Sequence, residues 1–484
     1  MAASIYVVCR WFNQTYGVGL NELLYTMVSP LKGTGVSVIV DILKACLPAI
    51  LLALAAYCVI AFICCQQSIV VELCISVCQK VRKLNFLKLC RQMGACLCVL
   101  LLMGSLFFVE KSLDISGYVR ALTQQTTLYE DYYVDPLSVE IQLRGSKKNL
   151  IYIYLESMET TYASADVGGK QEINYIPNLT KLAGDNVSFS DKDGLGGFRS
   201  SNGDGWTMGA LFASTSGLPF AFPTDGNTMD KREVFAGGVT TLGDILESEG
   251  YHQEFLCGSD GDFAGRKSYF QQHGNYDVFD YYTAKELGYI EDDYYVWWGY
   301  EDSYLYEIAK DELRQLAKAE EPFNLTMLTV DTHHLGGYTC SKCGNEYSEP
   351  LENVIACADS QVMDFITWCS KQDFYKDTVI VISGDHPRMD TILVEGVDYN
   401  DRTIYNCFIN AASSSQGPVQ GRIFTSMDMF PTILTAMGYT IEGDRLGLGT
   451  NLFSTRQTLA EEIGFEELNG EIAKHSNYYV KTFS

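Results

Sequence analysis

Positive charge is in short supply in this chain: 35 lysines and arginines stand against 60 aspartates and glutamates, a net charge of −25 over 484 residues. Nothing in such a balance would neutralise a phosphate backbone, which excludes a nucleic-acid-binding surface. Histidine is scarcer still, with 6 in the whole chain, so each one set beside an acid carries information. Cysteine is plentiful, but its placement is uneven. Of the 16 cysteines, ten precede residue 100 in or beside apolar stretches, where a thiol behaves as a small hydrophobe. Downstream remain Cys257, Cys340, Cys343, Cys357, Cys369 and Cys407. There is no internal repeat and no low-complexity tract.

Charge is absent altogether from two stretches. Residues 45–71, including "LPAILLALAAYCVIAFICC", and residues 92–109, "QMGACLCVLLLMGSLFFV", carry none. Each is long enough to span a bilayer, which predicts transmembrane helices at about 45–66 and 92–109 within a membrane region 36–110. The first run starts too far into the chain to be a cleaved signal peptide. Between them Lys80, Arg82, Lys83, Lys88 and Arg91 face a single Glu72. The positive-inside rule puts that loop in the cytoplasm and the acidic remainder outside the cell, as expected of a multi-pass protein of the cell membrane. Residues 1–35 hold only the short apolar piece "SIYVVCRWF" and read as an interfacial or extracellular segment. Residues 111–147, with "LYEDYYVDP", read as a stalk leading to an outer domain over 148–484.

That domain alternates. "NLIYIYLES" (149–157), "QEFLCG" (253–258), "FNLTMLTVD" (323–331) and "TVIVIS" (378–383) read as strands. "TTLGDILESEGY" (240–251), "YLYEIAKDELRQLAKA" (304–319) and "LENVIACADSQVMDFITWCSKQ" (351–372) read as helices between them. The pattern predicts an α/β fold with a mostly parallel central sheet and helices on both faces. In such folds ligands gather beyond the carboxyl ends of the strands. Three of those ends present acids or imidazoles: Glu156, then Asp331 with His333 and His334, then Asp385 with His386. One Asp-His pair alone would read as a capped turn. Three strand ends at one edge favour a divalent-metal site, since carboxylate and imidazole are its usual ligands.

A metal needs a partner that does chemistry. In "GLGGFRSSNGDGWTMGALFASTSGLP" (194–219), "TMGALFAS" reads as a helix with Thr207 at or near its N-terminus. Thr207 is either an ordinary N-cap or a nucleophile whose hydroxyl the metal activates, with the amides of the helix start turned to a phosphoryl oxygen.

The ordered motifs "YLESMETTY", "GDGWTMGALFASTSGLP", "DTHHLGGY" and "SGDHPRMD" resemble the lipoteichoic acid synthase and phosphoglycerol transferase group, in the sulfatase-like branch of the alkaline phosphatase superfamily. The resemblance covers roughly residues 145–440. It implies Mn2+ or Mg2+ held by Glu156, Thr207, Asp385 and His386, with Thr207 as nucleophile. It implies transfer of glycerophosphate from phosphatidylglycerol, through a threonine intermediate, to a glycan, glycolipid or polyglycerolphosphate acceptor. His333, or its neighbour His334, matches the substrate histidine of that group. "CGSDGDFAGRKSYFQQHG" (257–274) resembles its substrate loop, with Arg266 for the phosphate and Asp260 or Asp262 for the glycerol hydroxyls. Trp206 would wall the pocket or simply be buried.

Departures narrow the choice. A sulfatase carries cysteine or serine followed by x-Pro-x-Arg where this chain has "TMGAL", and a two-zinc phosphatase needs more histidines than 6. A phosphoethanolamine transferase is the nearest enzymatic rival, with another sulfatase-like phosphodiesterase or a silent binding module behind it. The lone outer C-x-x-C, Cys340 and Cys343, could be half a zinc site, a redox pair or one end of a disulfide. With no second C-x-x-C in the outer domain and Cys357 fourteen residues on as a third thiol, a disulfide between two of the three is preferred in an extracellular setting.

Overall fold

A computed structural model describes residues 123–484 except 223–233 and 320, together with two short strands and scattered positions before them. Residues 1–35 and most of the two expected spans lie outside the described residues, among which no helix is long and apolar enough to cross a membrane. The chain divides into two units, one of which takes in Thr34–Val119 and the other Arg120–Ser484. In the first, the basic loop holds an antiparallel pair, Val70–Cys74 with Val81–Asn85.

The second unit is built on a six-stranded sheet. Its strands are β1 (Asn149–Leu155), β2 (His252–Cys257), β3 (Asp277–Phe279), β4 (Phe323–Leu328), β5 (Thr378–Gly384) and β6 (Asn406–Ile409). Their order is β6-β5-β1-β4-β2-β3, parallel throughout except for β6, which runs antiparallel to β5 at one edge. The expected mostly parallel α/β sheet is thus present; β1 and β4 stop two and three residues before the ends of their expected runs, and β5 runs on to Gly384.

Central strands of a parallel sheet bury both faces, and β1 shows how. Leu150, Tyr152 and Tyr154 join one core and Ile151, Ile153 and Leu155 the other, as the two-residue period of a strand requires. The first core is covered by α2 (Thr207–Ser216), α3 (Leu242–Ser248), α4 (Arg266–Gln272) and α7 (Met429–Ala436). The second is covered by α1 (Pro177–Asp185), α5 (Asp302–Leu316) and α6 (Pro350–Cys369).

The expected stalk is largely not one. Leu128 and Tyr129 are buried, and the Tyr129 ring meets Tyr479 edge-on at 4.9 Å. Ile141–Leu143 pairs antiparallel with Tyr439–Ile441. Each tyrosine of "LYEDYYVDP" carries a large apolar ring. Packed on the C-terminal helix, those rings draw the segment into the domain.

Glu254 on β2 is the least comfortable acid of the sheet. One of its carboxylate oxygens is buried without a hydrogen-bond partner, and burial, with Glu312 and Asp277 adding, pushes its pKa up to about 8. The unfolded chain ionises this group from about pH 4.5 while the folded chain keeps the proton until about 8. Stability attributable to it is therefore present at low pH and lost as pH rises through that window. Glu254→Gln should raise stability at pH 8 by roughly 2–4 kcal/mol and leave it unchanged at pH 4. Urea unfolding at the two pH values checks this.

Candidate active site

Strand register assembles the site. β1 and β5 pair in parallel with Leu155 opposite Gly384, so the next residue on each, Glu156 and Asp385, emerges side by side at the carboxyl edge. Ser157 then takes a left-handed backbone conformation (φ 52°) that ends the strand abruptly. Its N–H donates to Asp385 Oδ1 at 2.7 Å and its hydroxyl to Glu156 Oε1 at 2.8 Å. The His386 N–H donates to the same Oδ1 at 2.8 Å. His386 Nδ1 lies 2.9 Å from the Pro387 carbonyl, which can only accept, so the proton sits on Nδ1 and the Nε2 lone pair is left for the cluster.

What faces that lone pair is a nest of acceptors. Nε2 is 3.5 Å from Glu156 Oε1, 3.4 Å from Asp385 Oδ2 and 3.3 Å from Thr207 Oγ1. Thr207 Oγ1 is also 3.3 Å from Glu156 Oε2. Glu156, Asp385 and His386 are each at most 2 % exposed, and Asp385 Oδ2 has no hydrogen-bond partner. Burial, then the Glu156 charge, lifts the Asp385 carboxyl to about 7. Burial would also lift Glu156, but His333 and His386 hold it below its ordinary value. His386 is opposed by burial and carried upward by Asp385 and Glu156. Two buried carboxylates and a lone pair converging within 4.8 Å lack a positive charge at their centre. An oxygen-rich set with one imidazole and an orphaned carboxylate oxygen fits a divalent cation.

Thr207 is the first residue of α2 and is half-buried, whereas the nine residues after it are buried. The loop before it is held by Asp204, which accepts from Ser200, from the Ser201 amide at 2.6 Å and from the Ser201 and Ser426 hydroxyls. Gly209 has no room for a side chain, since a Cβ would come within 2.2 Å of the Gly203 carbonyl oxygen. Trp206 lies edge-on to Phe220 at 5.1 Å, so it packs on the core beside Thr207.

A buried ionic frame, which sequence reasoning did not find, holds the loops around this cluster. Glu159 accepts from both Nε and Nη2 of Arg402, from the Arg388 amide at 2.7 Å and from the Thr161 hydroxyl. Arg388 grips Asp390 with two nitrogens and donates to the Thr332 carbonyl at 2.5 Å. All four charged residues are at most 6 % exposed, and Glu159 is fully buried. Glu159→Ala would strand the buried Arg402 guanidinium and leave the Arg388 amide without its acceptor, and should cost about 3–5 kcal/mol of stability, read as an earlier urea midpoint.

The expected substrate residues divide into those that line the site and those that do not. His333 donates from Nδ1 to the His334 carbonyl at 2.6 Å, stacks on His334 and lies 4.7 Å from the Trp298 ring. Burial lowers the pKa of both histidines, His334 the more strongly. Trp298 reaches Phe263 at 5.7 Å, and the Arg266 guanidinium sits 5.5 Å from the Phe263 ring. An aromatic tier thus links the 257–274 loop to His333. Arg266 is buried and spends Nε and Nη2 on the Phe263 and Asp260 carbonyls and the Ser259 hydroxyl, so its first task is holding its own loop. Asp260 accepts from the Asp262 amide and from Tyr282, while Asp262 itself is exposed. Trp298, in "VWWGY", was missed because a tryptophan beside a tryptophan reads as core.

A mostly parallel sheet with Glu156, Asp385 and His386 clustered at its carboxyl edge and Thr207 at a helix start suits a sulfatase-like fold. Residues 148–439 match the family model described as Sulfatase, and the chain belongs to that family. It is 33 % identical over 250 residues to phosphoglycerol transferase I of Xanthomonas axonopodis pv. citri (strain 306), covering 50 % of this chain and 34 % of that protein. It is 30 % identical over 376 residues to phosphoglycerol transferase I of Salmonella arizonae, covering 75 % and 46 %. The chain spans less than half the length of these curated relatives. Among solved structures, the lipoteichoic acid synthase LtaP of Listeria monocytogenes superposes with a TM-score of 0.52 at 18 % identity, over 65 % of this chain and 79 % of that one. At that identity the likeness is one of fold.

Proposed function

We propose that the protein is a membrane-anchored phosphoglycerol transferase that takes glycerophosphate from phosphatidylglycerol and passes it to a hydroxyl of a glycan, glycolipid or polyglycerolphosphate. The observation that carries this reading is Thr207 Oγ1, half-buried and 3.3 Å from both Glu156 and His386. The likeness to phosphoglycerol transferases of two organisms supports the choice of donor.

Glu156, Asp385 and His386, with the Thr207 hydroxyl, would hold the cation, Mn2+ or Mg2+. When bound, it lowers the pKa of a hydroxyl and offsets charge on phosphoryl oxygens. The chain's own part runs in two displacements. Thr207 Oγ1 bonds to phosphorus as the bond from phosphorus to the diacylglycerol oxygen breaks, and that oxygen leaves with a proton. The threonine ester is then attacked by the acceptor hydroxyl, which gives up its proton as Thr207 is restored. The free first-turn amides of α2 favour negative charge on the phosphoryl group. His333, with Nδ1 committed to a carbonyl, keeps Nε2 for proton exchange with the leaving and entering oxygens. Trp298 and Phe263 would offer faces for the glycerol and the lipid neck, and Asp260 or Asp262 would meet the glycerol hydroxyls. The apolar stretches at 45–66 and 92–109 would anchor the chain with this domain outside the cell.

The full chain in detergent, with manganese, should release diacylglycerol from labelled phosphatidylglycerol and not from phosphatidylethanolamine. Release from phosphatidylethanolamine instead would reassign it to phosphoethanolamine transfer, and release from neither would point to a silent fold.

A further inference from the structure

Cys340, Cys343 and Cys357 are free thiols, contrary to the disulfide expected from their extracellular setting. Cys340 Sγ lies 3.7 Å from Cys343 Sγ and 3.8 Å from Cys357 Sγ, and all three fall within 4.8 Å of one another. Those separations fit a tetrahedron: sulfurs about 2.3 Å from a zinc ion stand about 3.8 Å apart. Cys340 and Cys357 are buried and Cys343 half-buried. The Cys343 N–H donates to the Cys340 carbonyl at 3.1 Å, a turn that folds both thiols of "CSKC" to one side. Cys357 comes from the second turn of α6.

Gln361, one turn further along α6, closes the group. It is 6 % exposed, its Nε2 lies 3.4 Å from Cys357 Sγ and 3.9 Å from Cys340 Sγ, and its Oε1 is buried with no partner. A half-turn of the amide about its last bond exchanges oxygen and nitrogen and brings Oε1 to the sulfurs.

We infer that Cys340, Cys343 and Cys357 bind a zinc ion, with the Gln361 amide oxygen as fourth ligand. Thiolates select zinc over the manganese or magnesium suited to the oxygen-rich cluster of Glu156, Asp385 and His386. Binding releases the three thiol protons to solvent. The ion ties the segment following β4, which carries His333, to α6, and its role is to position that segment. This inference does not rest on the phosphoglycerol reading.

Cobalt(II) substitution in the detergent-purified full chain tests it. Thiolate ligands give cobalt a near-ultraviolet charge-transfer band that oxygen and imidazole ligands do not. The band is expected in the wild type and in Asp385→Asn, and absent from Cys340→Ser/Cys343→Ser. A wild type without the band overturns the inference, as does peptide mapping that finds any two of the three cysteines joined. So does a band that survives in the double variant, because thiols of the first 100 residues would then be its source. Should the double variant not fold, Cys343→Ser, at the half-buried corner, replaces it. That variant should weaken cobalt binding by about 100-fold or more, and an unchanged affinity overturns the inference.

Discussion

Thr207→Ala is expected to slow diacylglycerol release from phosphatidylglycerol by at least about 10³-fold at saturating manganese, with the fold retained. The hydroxyl is half-buried at the first position of α2, and its removal leaves the buried face of that helix untouched. Steady-state release assays read the loss, and an unchanged thermal melting curve separates it from misfolding. Thr207→Ser keeps the oxygen and should recover part of the rate. An alanine variant with near wild-type release would remove Thr207 from the chemistry.

The second large effect concerns the cation. His386→Ala removes the one imidazole whose tautomer is fixed inward by the Pro387 carbonyl. It should weaken manganese binding by about 100-fold or more and abolish release at low metal concentration. Chelation of the wild type should do the same, with activity restored by added manganese. Without the ion, Asp385 titrates near 7 because burial and Glu156 disfavour its charge. Its folded-state pKa is raised, so metal-free protein should lose stability as pH climbs from about 4 through 7. Bound metal should flatten that slope, a difference visible in paired unfolding curves. Activity indifferent to chelation would contradict the assignment of this cluster.

Much of the site was legible because parallel strands deliver their ends to one edge. Residues 229 apart in the chain become neighbours once Leu155 pairs with Gly384, and apolar runs stopping at Glu156 and Asp385 foretold that edge. The ionic frame was not legible. Glu159 and Arg402 are separated by 243 residues and neither sits at a strand end, so no local pattern joins them. Arg266 was legible as a residue but not in its task, since the carbonyls it holds are set by the turn at 259–263. The segment 128–143 was misread for a related reason: tyrosines follow no strand or helix period there, and only long-range packing on Tyr479 and Phe483 shows where they go. Cysteine spacing could not distinguish a bridge from a triangle of thiols, because Cys357 joins the pair only through the docking of α6.

The central claim is that Thr207 carries the transferred group. Its most direct test is mass mapping of the full chain after incubation with phosphatidylglycerol and manganese, with no acceptor present. The account predicts a glycerophosphoryl adduct on the peptide containing Thr207, discharged when an acceptor is added. Diacylglycerol released with no adduct at Thr207, or with the adduct on another residue, would contradict it.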